Sequence, residues 1–317
     1  MTAPTLTAIV CTHNPRPAHI EPTLASLAAQ EDVPPGTAFI LVDNRSDVAL
    51  EGRIDLSALT NFASARIVRE DKLGLTQARI RSFHEAASDV LVYIDDDNIL
   101  DPHYLANVAA AFAGDDTLGA IGGKSIPHYE VTPPAWFSEL GVSLACRDLG
   151  EAPLFADWSS GEKVYPACAP IGAGMAIRRV AYAAWVEAVT DDTTRSGLGR
   201  RGTDLASGED NDMVLTLLGT GWRVAYLPAL SLTHLIPSGR LTPAYLERYV
   251  ESSNRTWLQV LDVHGIRPRP PISAWSLPLR RAKAYVAARA WRSPLARIRW
   301  KASCGIFAGQ AKLGALR

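Results

Sequence analysis

The sequence predicts an α/β fold in which a mainly parallel central sheet is flanked by helices, ending in a basic helical tail. Short runs of apolar and β-branched residues alternate with helix-like stretches over residues 5–95, and strand–helix–strand alternation is typical of parallel sheets with crossover helices. The last of these runs ends in three consecutive aspartates, "YIDDDN" (93–98). Open α/β sheets bind ligands at the carboxyl ends of their strands, which makes this cluster the first candidate for a functional site.

The elements follow in chain order. Strands are predicted over 5–12, 37–43, 65–69 and 89–94, with helices over about 18–31 and 74–88 between them. Residues 127–170 are rich in proline and show little periodicity. Another strand is predicted over 169–177, a helix over about 179–189, a helix that begins at "GEDNDM" (208–213), and a last strand over 222–228. The chain is predicted to be helical from residue 241, with breaks at the prolines of 268–271 and at Pro294.

Composition indicates a globular protein with an uneven charge distribution. The net charge is −1, but no Asp or Glu follows Asp262, whereas 12 Lys or Arg do, which leaves residues 1–262 with a formal charge of −13. Four scattered cysteines without a CxxC pair predict reduced thiols rather than a metal site. Neither a signal peptide nor a membrane-length apolar run is visible, so we expect a cytoplasmic protein.

The aspartate cluster predicts a cation site. Carboxylate oxygens suit magnesium or manganese, which commonly bridge one or two carboxylates to substrate phosphates. Backbone alternation places Asp95 and Asp97 on one side and Asp96 on the other. The alternative is a solvated acidic turn before a helix, with Asp101 as the helix cap.

Eight motifs together resemble the family 2 glycosyltransferases, the inverting nucleotide-sugar enzymes with the GT-A fold. They stand in the order of that family and cover about three quarters of the chain: 8–14, 41–46, 74–79, 93–105, 133–137, 172–179, 208–213 and 232–249. The resemblance implies a GT-A domain over 1–250, with a donor half over about 1–126 and an acceptor half over about 127–250. Residues 251–317 would form a helical basic extension.

The resemblance also implies the activity. The chain would transfer a sugar from a nucleotide-sugar donor to a hydroxyl of a carbohydrate, a lipid-linked or another acceptor, in the synthesis of a polysaccharide, glycolipid or other glycoconjugate. UDP is the expected nucleotide, while GDP and dTDP stay open. Two alternatives from other classes are an inactive relative that binds sugar or serves in an assembly, and a sugar nucleotidyltransferase. The latter would want a glycine-rich and basic phosphate loop, which "CTHNPRPAH" (11–19) is not.

By resemblance, several residues would form the donor site. Thr12 would line the pocket, and Asp43 would accept a hydrogen bond from the imide N–H of uracil, unless it serves as the turn aspartate of "DNRS". Gly74 and Arg79 match a segment expected near the nucleotide phosphates, although the family usually has "ARN-x-G" where this chain has "ARIRS".

The resemblance further implies a site for manganese or magnesium. Asp97 is the first expected ligand, Asp95 would be shared between the ribose and the metal, and Asp96 would support sugar or nucleotide binding. His234, in "LTHLIP" (232–237), would supply an imidazole ligand. The alternative for His234 is an ordinary core or surface histidine.

Inverting transfer needs a general base for the acceptor hydroxyl. By resemblance Asp210 is that base and Glu209 a nearby structural or acceptor-binding carboxylate. The opposite assignment stays open, as does a simple effect of helix N-terminal charge. Trp136, Gly174 and Met175 would lie beside the acceptor, although the family more often has Asn at position 174 and Trp136 has an equal claim to be buried.

The basic tail mixes Arg and Lys with Leu, Tyr, Trp, Ile and Phe. Packing on the acidic body or in a homodimer is the first interpretation, and contact with an anionic membrane, for example the inner face of the plasma membrane, is close behind. Nucleic acid ranks last, because no recognition motif is present and the acidic body would repel phosphates.

Overall fold

A computed structural model describes residues 4–315, so residues 316–317 of the predicted tail lie outside the described part. The chain divides into two compact units. Unit 1 consists of the residues up to His128, Ala145–Ser196 and Met213–Leu235, and unit 2 consists of Tyr129–Leu144, Gly197–Asp212 and the residues from Ile236 onward.

The elements alternate as the sequence predicts over its first 95 residues. The strands are β1 (Leu6–Thr12), β2 (Ala38–Asn44), β3 (Ser64–Glu70), β4 (Val90–Asp95), β5 (Asn98–Leu100), β6 (Leu118–Tyr129), β7 (Leu154–Ala156), β8 (Ala176–Arg178) and β9 (Arg223–Ile236). The α-helices are α1 (Pro17–Ala28), α2 (Leu75–Glu85), α3 (Tyr104–Gly114), α4 (Arg179–Asp191), α5 (Thr193–Ser196), α6 (Glu209–Gly219), α7 (Pro243–Val263), α8 (Leu277–Ala287) and α9 (Pro294–Ala315).

The parallel part of the sheet consists of the first four predicted strands. β1 lies between β2 and β4 and pairs with both in parallel, and β3 pairs in parallel with the outer side of β2. Nearly every residue of β1, β2 and β4 is buried. A parallel strand covered on both faces needs such a continuous apolar run, which is why these strands could be recognised in the sequence.

The other strands extend the sheet in the order β3-β2-β1-β4-β8-β6-β9-β5, with β7 paired to β9. The pairs β4–β8, β6–β8, β5–β9 and β7–β9 are antiparallel. β8 is shorter than the strand predicted over 169–177, because Gly174 has a φ of +76° and turns the chain just before it. β9 is longer than predicted: it runs past Pro228 as far as Ile236 and therefore includes His234.

Unit 2 contains a close pair of helices. Thr242 caps the start of α7, and its hydroxyl accepts a hydrogen bond from the N–H of Tyr245. A Cβ atom on Gly305 of α9 would lie 2.3 Å from the carbonyl oxygen of Glu251 in α7, so only glycine allows this approach. Within this pair the tail neutralises acidic residues of α7, through Arg297–Glu247 at 2.7 Å and Lys301–Glu251 at 2.8 Å.

Among the described residues, none of the helices combines the length and the apolar character that crossing a bilayer requires.

Candidate active site

The carboxyl ends of the central strands bring three predicted site residues to one edge of the sheet in unit 1. The parallel register pairs Thr12 of β1 with Asp43 of β2, and Cys11 of β1 with Asp95 of β4. Thr12 and Asp43 are buried, whereas Asp95 is partly exposed. This is the edge at which open α/β sheets bind their ligands.

The three aspartates form a turn rather than a continuous strand. β4 ends at Asp95, Asp96 and Asp97 make the turn, and β5 begins at Asn98. The expectation that Asp95 and Asp97 share one side by strand alternation is therefore wrong, because the backbone is not extended across them. The side chain of Asn98 holds the turn by accepting a hydrogen bond from the N–H of Asp95 at 3.0 Å. Thr12 donates its hydroxyl hydrogen bond to Asp96.

Asp97 lies next to His234, the residue predicted to bind the same metal ion. The antiparallel register of β5 and β9 pairs Asn98 with His234, and the carbonyl oxygen of Asp97 accepts a hydrogen bond from the N–H of Leu235 at 2.8 Å. His234 Nε2 is 3.3 Å from Asp97 Oδ1. Asp97 is 3% exposed and His234 is 2% exposed, so this ionisable pair is withdrawn from water.

The environment of His234 favours a positive charge. Burial by itself lowers its pKa, but hydrogen bonding to Asp97 and Cys146 and the negative charges of Asp97 and Asp95 outweigh it and raise the pKa of His234 to about 10. A metal ion would bind His234 only in place of this proton, because the neutral imidazole is the form that coordinates a metal.

The side chains at this edge fit part of the coordination shell of a cation, with the remaining ligands supplied by a substrate. In the described residues no group of three or more His, Cys, Asp or Glu is arranged to hold a metal ion by itself. The buried carboxylate–imidazole pair of Asp97 and His234 supplies two ligands, with Asp95 close enough to act on His234 electrostatically. Magnesium and manganese commonly use one or two carboxylates together with substrate phosphates. These residues would therefore supply the protein ligands of such a site, and the phosphates of a substrate would supply the others.

Asp43 is held by the chain itself. Its carboxylate accepts hydrogen bonds from the N–H of Ser46 at 2.9 Å, the N–H of Leu50 at 3.1 Å and the guanidinium of Arg69 at 2.7 Å. Burial raises the pKa of Asp43, but these hydrogen bonds and the charge of Arg69 outweigh it and hold the pKa below its usual value. Asp43 is thus a turn aspartate in this structure, and its contact with uracil stays a prediction.

Asn44 is a site residue that sequence reasoning missed. Its amide donates to the carbonyl oxygen of Lys72 at 2.8 Å, and its side-chain oxygen accepts from the N–H of Gly74 at 2.8 Å. Gly74 has a φ of +140° and precedes the first residue of α2. The end of β2 therefore fixes the start of α2 at the same edge of the sheet. The signal in the sequence was the polar Asn44 directly after Asp43 at the end of a predicted strand.

Arg79 is on α2 and is 3% exposed. Its guanidinium lies over the ring of Tyr93 in β4, 5.1 Å from the centroid. This stacking fixes the side chain against the sheet. Whether the guanidinium contacts a nucleotide phosphate stays a prediction.

In unit 2 the predicted acidic helix begins as expected, at Glu209. Glu209 is 3% exposed, whereas Asp210 is partly exposed and its carboxylate accepts a hydrogen bond from the N–H of Asn211 at 2.9 Å. A carboxylate that acts as a base must reach its substrate, and the greater exposure of Asp210 agrees with that requirement.

A buried pair anchors the first turn of α6. Asp212 is fully buried, and its Oδ1 is 2.8 Å from Nε2 of His264, which follows the last residue of α7. Gly208 lies so close to α7 that a Cβ atom there would be 2.7 Å from methyl groups of Thr256 and Val260. Sequence reasoning missed Asp212 and His264, although the third acidic residue of "GEDNDM" was a signal.

The predicted acceptor residues differ in exposure. Trp136, in unit 2, is partly exposed. In unit 1, a Cβ atom on Gly174 would lie 2.5 Å from the Tyr104 hydroxyl, which donates to the Gly174 carbonyl, so asparagine does not fit this backbone. Met175 is fully buried, and its carbonyl oxygen accepts from the N–H of Tyr93 at 2.8 Å. Met175 thus packs in the core, and an acceptor contact at these three positions stays a prediction.

Comparison with known proteins gives a family match. The model of the family described as "Glycosyltransferase like family 2" matches residues 3–258. No curated protein sequence matches the chain.

Solved structures share the fold. The mannosyltransferase PcManGT from Pyrobaculum calidifontis, in complex with GDP-Man and Mn²⁺, is similar with a TM-score of 0.55 and 18% identity, over 99% of this chain and 88% of that one. S. aureus TarS 1-349 in complex with UDP has a TM-score of 0.52 and 13% identity, over 99% and 92%. GalNAc-T7 with UDP, GalNAc and Mn²⁺ has a TM-score of 0.50 and 17% identity, over 99% and 57%.

Proposed function

The chain belongs to glycosyltransferase family 2 and is a glycosyltransferase of the GT-A fold, and we propose that it transfers a sugar from a UDP-sugar to an acceptor hydroxyl with inversion. The observation that carries the proposal is the buried pair of Asp97 and His234 beside the aspartate turn, at the ligand-binding edge of the sheet. Such a pair has no packing advantage over apolar residues of similar volume, which supports a functional reason for it.

The donor would bind at the carboxyl edge of unit 1. Asp97 and His234 would hold a manganese or magnesium ion, with Asp95 shared between the ion and the ribose. When bound, the ion would offset the negative charge that develops on the leaving diphosphate. Asp96 is oriented by Thr12 toward β1 and would contact the sugar or the nucleotide. Asn44 holds Gly74 at this edge, which supports a role of the start of α2 in phosphate binding.

The choice of UDP rests on Asp43 and on similar proteins. PcManGT was solved with GDP-Man, whereas TarS and GalNAc-T7 were solved with UDP, so the fold accommodates both nucleotides. The carboxylate of Asp43 accepts hydrogen bonds from the N–H and the hydroxyl of Ser46, from the N–H of Leu50 and from Arg69. The imide N–H of uracil would therefore have to replace or share one of these contacts.

The acceptor would be activated in unit 2 by Asp210. As the acceptor oxygen attacks the anomeric carbon from the face opposite the nucleotide, the bond from that carbon to the diphosphate oxygen breaks. Asp210 would take the hydroxyl proton. Asp212 and His264 would hold the first turn of α6 so that Asp210 keeps its direction. Trp136 would offer an aromatic face to a carbohydrate or lipid-linked acceptor.

Donor turnover tests the proposal. Purified protein is mixed with UDP-, GDP- and dTDP-sugars, and release of each nucleoside diphosphate to water is measured with manganese, with magnesium and with a chelator. We expect slow release of UDP that requires the metal. Release of GDP or dTDP alone would move the donor assignment away from UDP, and equal release with the chelator would contradict the metal site. No release from any donor by folded protein would contradict the transfer proposal itself.

A further inference from the structure

An apolar stripe on α8 faces solvent. Four large hydrophobic side chains between residues 275 and 291 are exposed: Trp275 at 82%, Leu279 at 73%, Val286 at 63% and Trp291 at 57%. Single exposed hydrophobic residues are common on proteins, but a group of large ones along one side of a helix marks an interaction surface.

The spacing puts three of these residues, Trp275, Leu279 and Val286, on the outer side of the helix, whereas Trp291 follows α8 and its ring lies 5.8 Å from that of Tyr285. Trp275, Leu279, Ala282 and Val286 follow one another at intervals of four, three and four residues, which is one stripe of an α-helix. The opposite side of α8 packs on α9: the rings of Tyr285 and Trp300 are 5.0 Å apart, and the indole N–H of Trp300 donates to the carbonyl oxygen of Arg281 at 3.0 Å. The helix is thus amphipathic with its apolar stripe outward.

Basic side chains border this stripe. Arg280, Lys283, Arg289 and Arg292 are exposed, and none of them makes an ion pair with a carboxylate in the described part of the chain. Other basic residues of the tail differ, since Arg281 and Lys301 are paired with Glu251. No Asp or Glu follows Asp262 in the sequence, so nothing acidic from the tail itself lies along the stripe.

We propose that the outer side of α8, with Trp275 just before its first turn, binds peripherally to an anionic lipid bilayer. Helices that lie in a membrane interface combine Trp and Leu on one side with Lys and Arg at its borders, and the cations attract anionic headgroups. Nucleic acid would use the basic residues but would leave Leu279 and Val286 without a partner. This inference goes beyond sugar transfer and does not depend on it.

Vesicle sedimentation of the full chain tests the proposal. The probes are vesicles of phosphatidylcholine alone and of phosphatidylcholine mixed with phosphatidylglycerol, at low and high salt. We expect binding to the anionic vesicles that weakens with salt, and about tenfold weaker binding to the neutral ones. No binding of the wild-type chain to anionic vesicles would overturn the proposal.

Substitutions locate the surface. Replacing both Trp275 and Leu279 by Ser, or both Arg280 and Lys283 by Glu, is expected to weaken binding to anionic vesicles about tenfold. These side chains are exposed, so the melting temperature should not change. Val180, 67% exposed on α4, gives a matched control, and V180S should bind as the wild type does.

Full binding by both double variants would overturn the proposal. So would a dimer, seen by ultracentrifugation, that the Trp275/Leu279 variant abolishes, because the stripe would then bind a second copy.

Discussion

Replacing Asp210 by asparagine lowers kcat about 10²- to 10⁴-fold, while the affinity for the donor nucleotide stays the same. Asparagine keeps the size of the side chain and removes its ability to take a proton, and a positioned general base contributes a factor of this order. Asp210 is partly exposed at the first turn of α6, whereas the neighbouring Glu209 is buried. The loss should therefore fall on the chemical step and not on donor binding.

Steady-state kinetics with the identified donor and acceptor check this expectation. E209Q distinguishes the two assignments of the base: a loss in kcat larger than that of D210N, with the fold intact, would contradict the assignment to Asp210. Glu187, exposed on α4, provides the control for a carboxylate-to-amide change. E187Q should keep full activity.

The second large effect concerns the contact of α9 with α7. Replacing Gly305 by alanine lowers the free energy of unfolding by about 1–3 kcal/mol, and replacing it by leucine lowers it by about 3 kcal/mol or more. The added Cβ atom would lie 2.3 Å from the Glu251 carbonyl oxygen and 3.0 Å from its Cα, so backbone must move. The better helix propensity of alanine offsets at most about 1 kcal/mol.

Urea denaturation measures this loss. Gly114, at the end of α3, is the matched control, because a Cβ atom there meets nothing within 4 Å. G114A should leave the free energy of unfolding unchanged or raise it by up to about 1 kcal/mol. If G305A were as stable as G114A, the close approach of the two helices would be contradicted.

The predictable part of the fold is the part in which local sequence decides the structure. β1, β2 and β4 are buried apolar runs, and such runs are visible without knowledge of their partners. β6 was missed because "LGAIGGKSIPHY" contains three glycines and a proline. A Cβ atom at position 123 would lie 1.9 Å from the carbonyl oxygen of Leu230, so glycine is required there. This requirement becomes visible only in the folded sheet.

The candidate site shows the same division. The resemblance named Asp97 and His234, and the structure puts them 3.3 Å apart although 137 positions separate them in the sequence. Strand alternation failed across Asp95–Asp97 because the chain turns there. Asn44 with Gly74, and Asp212 with His264, are contacts between distant segments, which no local pattern encodes.

The most direct test of the metal-dependent donor site is calorimetric titration of the wild-type chain and of D97N with UDP, each with and without manganese. Asparagine can still hydrogen bond to His234 but removes the carboxylate charge. We predict that the wild type binds UDP only with manganese, and that D97N binds at least about 10²-fold more weakly under the same conditions. Equal affinity of the two proteins, or binding of UDP by the wild type that is unaffected by manganese, would contradict the proposed site.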